Sequence, residues 1–113
     1  MARVLKRGDV VWANLDPVIG REQAGRRPVV VISDEILNRY SETVIAMAIT
    51  SQEPRAGFPL TFQLSRDLAG KPAWIKITQV RTISTKRLGK TMGRIDDRDI
   101  ATVLDGFNEI LGN

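Results

Sequence analysis

Two adjacent arginines, Arg26 and Arg27, close a loop that begins at Asp16 and contains Gly20 and Gly25. A guanidinium presents a planar fork of N–H donors that matches two oxygens of one phosphate, so paired arginines in a glycine-containing loop suit phosphate binding. A solvated loop whose charges only maintain solubility would have the same composition. Composition alone favours the solvated loop, and both interpretations stay open at this point.

A second group of candidate residues lies in the run Trp74–Val80, which has the pattern of a strand. Alternation places Lys76 and Thr78 on one face and Gln79, with two isoleucines, on the other. A cation beside a hydroxyl suits a phosphate-bearing groove, although an ordinary half-exposed strand carries the same residue types. Thr50, taken by itself, is only a threonine at the end of an apolar run.

The 113-residue sequence contains no cysteine and no histidine, which removes most of the common catalytic groups. Disulfides, thiolate nucleophiles, cysteine-ligated zinc or iron–sulfur centres and histidine-based triads are all excluded. A metal site would need oxygen ligands alone, and we predict neither a metal nor an organic cofactor. Any catalysis must therefore use carboxylates, hydroxyls, lysine and arginine.

Basic residues outnumber acidic ones by 17 to 13, a net charge of +4, but the excess is unevenly distributed. Residues 1–94 carry a net charge of +8, whereas residues 95–113 carry −4. A basic body of this kind suits a polyanionic partner. The longest apolar runs are too short to cross a membrane, and the N-terminus lacks the apolar segment of a signal peptide, so we expect a cytoplasmic protein that does not associate with membranes.

The C-terminal segment predicts one amphipathic helix. Its apolar residues recur at helical spacing and form a single stripe: Ile100, Val103, Leu104, Phe107, Ile110 and Leu111. Asp96 or Asp97 is placed to cap the N-terminus of this helix, and Gly112 is placed to end it.

The rest of the chain predicts short strands. The candidate segments are Val10–Leu15, Pro28–Ser33, Thr43–Ile49, Phe58–Ser65, Trp74–Val80 and Lys90–Ile95, with a short helix at Asp34–Tyr40. Closely spaced strands separated by turn signals indicate a strongly curved sheet or partial barrel, closed by the final helix. We therefore expect a single domain over residues 1–113 that is mainly β with α, in the α+β class.

Five fragments occur in order along roughly residues 6–111, and each is weak when taken alone. They are Arg7-Gly8-Asp9-Val10, Gly20-x-Glu22-Gln23-x-Gly25-x-Arg27-Pro28-Val29-Val30-Val31-Ile32, Asn38-Arg39, Ala48-Ile49-Thr50 and Gln79-Val80-Arg81-Thr82-Ile83. Taken together, in this order and at these intervals, the five fragments are specific enough to indicate one protein family. With these fragments the sequence resembles the MazF/PemK family of toxins.

The resemblance implies an SH3-like partial β-barrel of the MazF/PemK/CcdB type that acts as a homodimer. It also implies a sequence-selective endoribonuclease, the toxin of a type II toxin–antitoxin pair, which cleaves single-stranded mRNA without metal through the RNA 2′-hydroxyl. The products would be a 2′,3′-cyclic phosphate and a 5′-hydroxyl. The implied partners are the RNA and an acidic, partly disordered segment of the cognate antitoxin.

Residue by residue, the resemblance places the catalytic arginine at Arg27 and the catalytic threonine at Thr50. Glu22 matches the loop glutamate, as an acid/base group or as an RNA contact, and a water is the alternative base. The other RNA-binding residues that the loop and strand motifs imply are Gly20, Arg21, Gln23, Arg26, Lys76, Thr78, Gln79 and Arg81.

This sequence departs from the family pattern just ahead of Gln79. Thr78 stands where many relatives carry Asp or Glu, and Lys76 stands where some carry Arg, so neither the base preference nor a second acid/base group follows from the resemblance. Two other functions stay open: a non-catalytic toxin of the same fold that poisons DNA gyrase, as the CcdB group does, and an RNA-binding module without cleavage. The CcdB group relies on a C-terminal Trp-Gly-Ile, whereas this chain ends Ile-Leu-Gly-Asn.

Overall fold

The computed structural model describes residues 4–15 and 25–112, which form six strands and two α-helices. In chain order the elements are β1 (Asp9–Asn14), β2 (Arg26–Val31), α1 (Glu35–Tyr40), β3 (Thr43–Thr50), β4 (Thr61–Gln63), β5 (Trp74–Ser84), β6 (Leu88–Arg94) and α2 (Asp97–Leu111). A 3-10 turn at Thr85–Arg87 joins β5 to β6. The strands form one antiparallel sheet in the order β4-β5-β3-β2-β1-β6, which confirms the predicted class, mainly β with short helices.

Both faces of the sheet are buried, which explains the near-continuous apolar runs in the sequence. Val11, Ala13 and Leu15 lie in one apolar cluster, as the alternation in β1 predicts, together with residues of β2, β3 and β5. Val10, on the opposite face, lies in a second cluster that includes Ile100 of α2. Among the described residues, the members of the first cluster come from the strands and from Leu5 and Leu15 beside β1, and none comes from a helix.

Helix α2 covers the second cluster and ends where the sequence predicts. Ile100 and Val103 are buried in the same cluster as Ile75 and Ile77 of β5. Gly112 ends the helix in the left-handed conformation, at φ 85°, which glycine adopts without steric cost. The predicted stripe is not buried to its end, because Ile110 and Leu111 are 39% and 58% exposed. Neither helix in the described part of the chain has the length and apolarity needed to span a membrane.

The short helix α1 buries one polar side chain. Asp34 caps this helix by accepting a hydrogen bond from the backbone N–H of Ile36 (2.9 Å). Asn38 donates through Nδ2 to the carbonyl oxygens of Leu5 (2.7 Å) and Ser33 (3.1 Å), and its Oδ1 accepts from the Ser33 hydroxyl. This asparagine, which belongs to one of the five fragments, therefore fastens the N-terminal segment to the fold.

The predicted strand at Phe58–Ser65 is wrong over most of its length. Only Thr61–Gln63 forms a strand. A turn precedes it, in which the backbone N–H groups of Leu60 and Thr61 both donate to the Gly57 carbonyl, at 2.9 and 3.1 Å. The turn breaks the expected alternation, so that Leu60 is exposed and Thr61 is buried.

Asp99 is a buried carboxylate that joins α2 to the segment after β4. Its Oδ2 accepts hydrogen bonds from the backbone N–H and the hydroxyl of Ser65, both at 2.9 Å. The side chain lies in the first turn of α2, where the helix dipole stabilises a negative charge. Asp99→Ala is therefore expected to lower the free energy of unfolding by about 2 kcal/mol in urea denaturation. Asp105→Ala, at an exposed position of the same helix, is the matched control and should change it by less than ~0.5 kcal/mol. Equal losses in the two variants would contradict the structural role of Asp99.

Candidate active site

Arg27 and Thr50 lie next to each other at one end of the sheet. Val29 of β2 pairs with Ala48 of β3, and continuing this register by two residues sets Arg27 level with Thr50. Both residues line one pocket of about 310 Å³, here termed the central pocket. Its lining includes Trp12, Arg26, Arg27, Thr50, Lys71 and Met92. The structure thus brings together the two residues that the family resemblance marks as catalytic.

Thr50 is the last residue of β3, and a turn begins there. Its Oγ1 accepts a hydrogen bond from the backbone N–H of Gln52 (3.1 Å), which holds the hydroxyl at the end of the strand. A hydroxyl that accepts one hydrogen bond keeps its own proton for donation. Thr50 can therefore donate a hydrogen bond to an anion in the central pocket.

Arg27 follows segment 16–24, and the described residues on either side of that segment are hydrogen-bonded to each other. The backbone N–H of Leu15 donates to the carbonyl of Gly25 (2.9 Å), and Gly25 has a φ of 75°, a conformation that favours glycine. This closure sets the start of β2 and leaves the side chain of Arg27 exposed. The predicted loop residues lie outside the described residues, and their roles stay predictions: Gly20, Arg21, Glu22 and Gln23.

A bulge in β5 changes which of its side chains share a face. Met47 of β3 pairs with Val80, but the next residue, Ala48, pairs with Lys76, so β5 places three extra residues between these two pairs. Strict alternation is lost across such a bulge. The prediction that Gln79 lies on the face opposite Lys76 is therefore wrong, and both residues line one pocket.

The bulge contributes to a second pocket of about 400 Å³, here termed the β5 pocket. Its lining includes Thr50, Gln52, Arg55, Lys76, Thr78 and Gln79. Thr50 lines both this pocket and the central pocket, so the two are adjacent. Arg81 pairs with Ala46 farther along β5 and lines neither pocket. Three of the four strand residues implied by the resemblance therefore lie beside Thr50.

Trp12 is a site residue that the sequence motifs do not include. Asn14 of β1 pairs with Arg26, so Arg26 and Trp12 lie on the same face of adjacent strands, and the guanidinium carbon lies 5.3 Å from the centroid of the indole ring. Both residues line the central pocket and also a third pocket of about 470 Å³, here termed the Trp12 pocket. Its lining includes Trp12, Asn14, Arg26, Lys86, Arg87 and Gly89. One signal could have indicated Trp12: it is a large aromatic residue on the face of β1 opposite to Val11 and Ala13, close in the sequence to Arg26 and Arg27.

Most of the charged side chains that line the three pockets are basic. Among the described residues, seven basic side chains and one acidic side chain, that of Glu53, line them. The basic residues are Arg26, Arg27, Arg55, Lys71, Lys76, Lys86 and Arg87. A concave run of one sign of charge concentrates a polyanion of the opposite sign. Within residues 4–15 and 25–112, no three acidic residues gather in a way that could hold a metal ion.

One family model and several known proteins are similar to this chain. A family model described as "PemK-like, MazF-like toxin of type II toxin-antitoxin system" matches residues 6–111. The chain is 42% identical over 110 residues to Endoribonuclease EndoA of Bacillus subtilis (strain 168), a match that covers 96% of this chain and 91% of the relative. MazF (Form-I) from Deinococcus radiodurans superposes with a TM-score of 0.86 at 26% identity, over 99% of this chain and 100% of that chain. MazE-MazF (Form-II) from Deinococcus radiodurans superposes with a TM-score of 0.78 at 26% identity, over 98% of each chain.

Proposed function

This chain belongs to the family of PemK-like, MazF-like toxins of type II toxin–antitoxin systems, and we propose that it is an endoribonuclease that cleaves single-stranded mRNA at the central pocket. The observation that carries this proposal is that Arg27 and Thr50 line one pocket within a run of basic side chains. A relative named as an endoribonuclease, at 42% identity, supports the same activity.

The proposed reaction needs no nucleophile from the protein. The 2′-oxygen of the RNA attacks the adjacent phosphorus, the bond from that phosphorus to the 5′-oxygen of the next nucleotide breaks, and a 2′,3′-cyclic phosphate and a 5′-hydroxyl result. One proton leaves the 2′-hydroxyl, and one is added to the departing 5′-oxygen. The protein must hold these groups in line, stabilise the charge that builds on the phosphate and move the protons. A chain without cysteine and histidine can perform all three tasks.

Arg27 suits the stabilisation of the phosphate. Its guanidinium can donate two parallel hydrogen bonds to the non-bridging oxygens. A guanidinium has N–H donors and no acceptor, so another group must accept the proton of the 2′-hydroxyl. Thr50, at the same pocket, can donate a further hydrogen bond to the phosphate.

The proton of the 2′-hydroxyl passes, in this proposal, to Glu22 or to a water. Glu22 follows from the family resemblance alone. Lys76, Thr78 and Gln79 lie beside Thr50 in the β5 pocket, where donors and acceptors of these types can contact the edges of bases next to the cut bond. They are accordingly proposed to set the RNA sequence that this toxin prefers.

The basic surface also suits the other partners of a toxin. We propose that an acidic antitoxin segment, partly disordered when free, covers this surface and inhibits cleavage. The pairing of MazE with MazF in the Deinococcus radiodurans structure supports this partner. We further propose a homodimer, which would join two basic faces into one continuous RNA-binding surface. The proposal also includes a single domain over residues 1–113 and a cytoplasmic location, where mRNA is found.

Incubation of the purified chain with a long RNA in excess EDTA tests the proposed activity. Discrete fragments that carry 5′-hydroxyl and cyclic phosphate ends are expected, because arginine and hydroxyl donors replace a metal at the phosphate. Arg27→Ala protein, prepared in the same way, is the control against contaminating nucleases.

The alternatives give different results in the same samples. RNA that is bound but stays intact would contradict the proposal and indicate an RNA-binding module. Inhibition of purified DNA gyrase by a protein that leaves RNA intact would instead indicate a toxin that acts by protein–protein contact.

A further inference from the structure

Among the described residues, three basic side chains and no acidic one line the Trp12 pocket. Arg26, Lys86 and Arg87 line this space of about 470 Å³ together with Trp12. In the part of the chain that the structure describes, no ion pair involves any of the three. Like charges around one concave space repel each other, and an anion placed between them removes that repulsion. The pocket therefore has the charge of an anion-binding site.

Hydrogen bonds hold the turn that carries two of these cations. The Ser84 hydroxyl accepts a hydrogen bond from the backbone N–H of Lys86 (3.2 Å). The backbone N–H and the hydroxyl of Thr85 both donate to the carbonyl of Glu42, at 3.0 and 3.2 Å. The turn with Lys86 and Arg87 is thus tied to the residue that precedes β3, so the backbone that carries the two cations is held in place before a ligand arrives.

Arg26 reaches the same pocket from the other side of β1. Its guanidinium lies over the Trp12 ring, and a Cβ placed on Gly89 would lie 3.7 Å from Nη2 of this arginine. Arg26 is on β2 and Gly89 is on β6, and β1 lies between these two strands in the sheet. The Arg26 side chain therefore spans β1 and places its charge near Lys86 and Arg87.

We propose that the Trp12 pocket binds a backbone phosphate of the RNA that lies outside the cut bond, through Arg26, Lys86 and Arg87. This inference rests on the proposed function, because the ligand is the same RNA strand. Trp12 and Arg26 line both this pocket and the central pocket, so the two spaces share a wall. An RNA strand whose cut phosphate lies at Arg27 carries a phosphate on every neighbouring nucleotide, and one of these reaches Lys86 and Arg87 across that shared wall.

The double variant Lys86→Ala/Arg87→Ala tests the inference on an RNA with a 2′-deoxy nucleotide at the cut site, which lacks the attacking hydroxyl. By fluorescence anisotropy the dissociation constant is expected to rise about tenfold, and the slope of log affinity against log salt to become shallower by about 0.7 for one lost phosphate contact on a single strand. A short RNA limited to the nucleotides around the cut should bind the variant and the wild type equally. On cleavable long RNA, KM should rise while kcat stays unchanged.

Arg66→Ala/Arg98→Ala is the matched control, since it removes the same charge from exposed positions outside the three pockets. It should leave the affinity for long RNA and the salt slope close to the wild-type values. Equal changes in the two double variants, or none in either, would overturn the inference. Lost affinity for a glutamate-rich peptide alone would also overturn it and assign the pocket to an acidic protein segment. Because binding is measured without cleavage, these outcomes stay informative even if the protein does not cut RNA.

Discussion

Arg27→Ala is expected to lower the single-turnover rate of RNA cleavage by about 10³-fold, because the charge that develops on the phosphate loses its preorganised cation. The side chain is exposed at the second residue of β2, so its removal should leave the fold intact. The loss should fall mainly on kcat, since an interaction that strengthens in the transition state affects the chemical step more than substrate binding.

Arg27→Lys separates the charge of this residue from its geometry. Lysine keeps the positive charge but lacks the planar fork, so only part of the lost rate should return. Arg98→Ala, at an exposed position of α2, is the control and should cleave like the wild type. Thermal denaturation establishes that each variant is folded. Near wild-type cleavage by folded Arg27→Ala protein would contradict the placement of Arg27 at the phosphate.

The parts of the fold that follow from residue period could be predicted from the sequence. Val11 and Ala13 of β1 lie in the cluster that their alternation predicts, and Ile100 and Val103 of α2 are buried as their helical spacing predicts. Such signals are local, because the face of each side chain follows from the geometry of its own element. Burial of both sheet faces then selects one register among the possible ones.

The bulge in β5 could not be predicted from either strand alone. It arises because Met47 pairs with Val80 while Ala48 pairs with Lys76, a mismatch between strands that are distant in the sequence. Its consequence is that Gln79 shares a pocket with Lys76, against the prediction from alternation. Long-range register, which no local pattern encodes, decided the position of this candidate RNA contact.

The pairing of Arg27 with Thr50 came from the family resemblance, since each residue alone had an ordinary structural explanation. The sheet supplies the physical reason: β2 and β3 are antiparallel neighbours, and their register sets these two residues level. Lys86 and Arg87 were not among the predicted site residues. They come close to Trp12 and Arg26 only in the folded sheet, where β1 lies between β2 and β6. Strand order, like the bulge, is a property of the whole sheet.

The modest net charge of +4 understates the basic character of the candidate site. Seven basic side chains line the three pockets, whereas the acidic residues of the C-terminal segment lie mainly on α2. No residue of α2 is among those that line the three pockets. The average over the chain therefore dilutes a local positive field that is strong where an RNA would bind.

Thr50→Val is expected to lower the single-turnover cleavage rate by about 10²-fold, the second largest effect after that of Arg27. Valine has nearly the shape of threonine but lacks the hydroxyl, so the variant removes the hydrogen bond that Thr50 can donate to the phosphate. It also removes the bond that Oγ1 accepts from the backbone N–H of Gln52. Thr50→Ser keeps a hydroxyl at this position and should retain most of the activity.

A competing explanation for slow cleavage by Thr50→Val is that Thr50 has only a structural role at the end of β3. Thr43, at the other end of the same strand, provides the control. Its Oγ1 also takes part in a turn, 2.8 Å from the Ser41 hydroxyl, but it lines none of the three pockets. Thr43→Val should lower the free energy of unfolding by about 1 kcal/mol and cleave RNA at the wild-type rate. If Thr50→Val behaves in the same way, Thr50 is a structural residue and Arg27 holds the phosphate without it. If Thr50→Val is as stable as Thr43→Val but cleaves slowly, lost stability does not explain the slow cleavage, and the lost hydrogen bond to the phosphate is the cause.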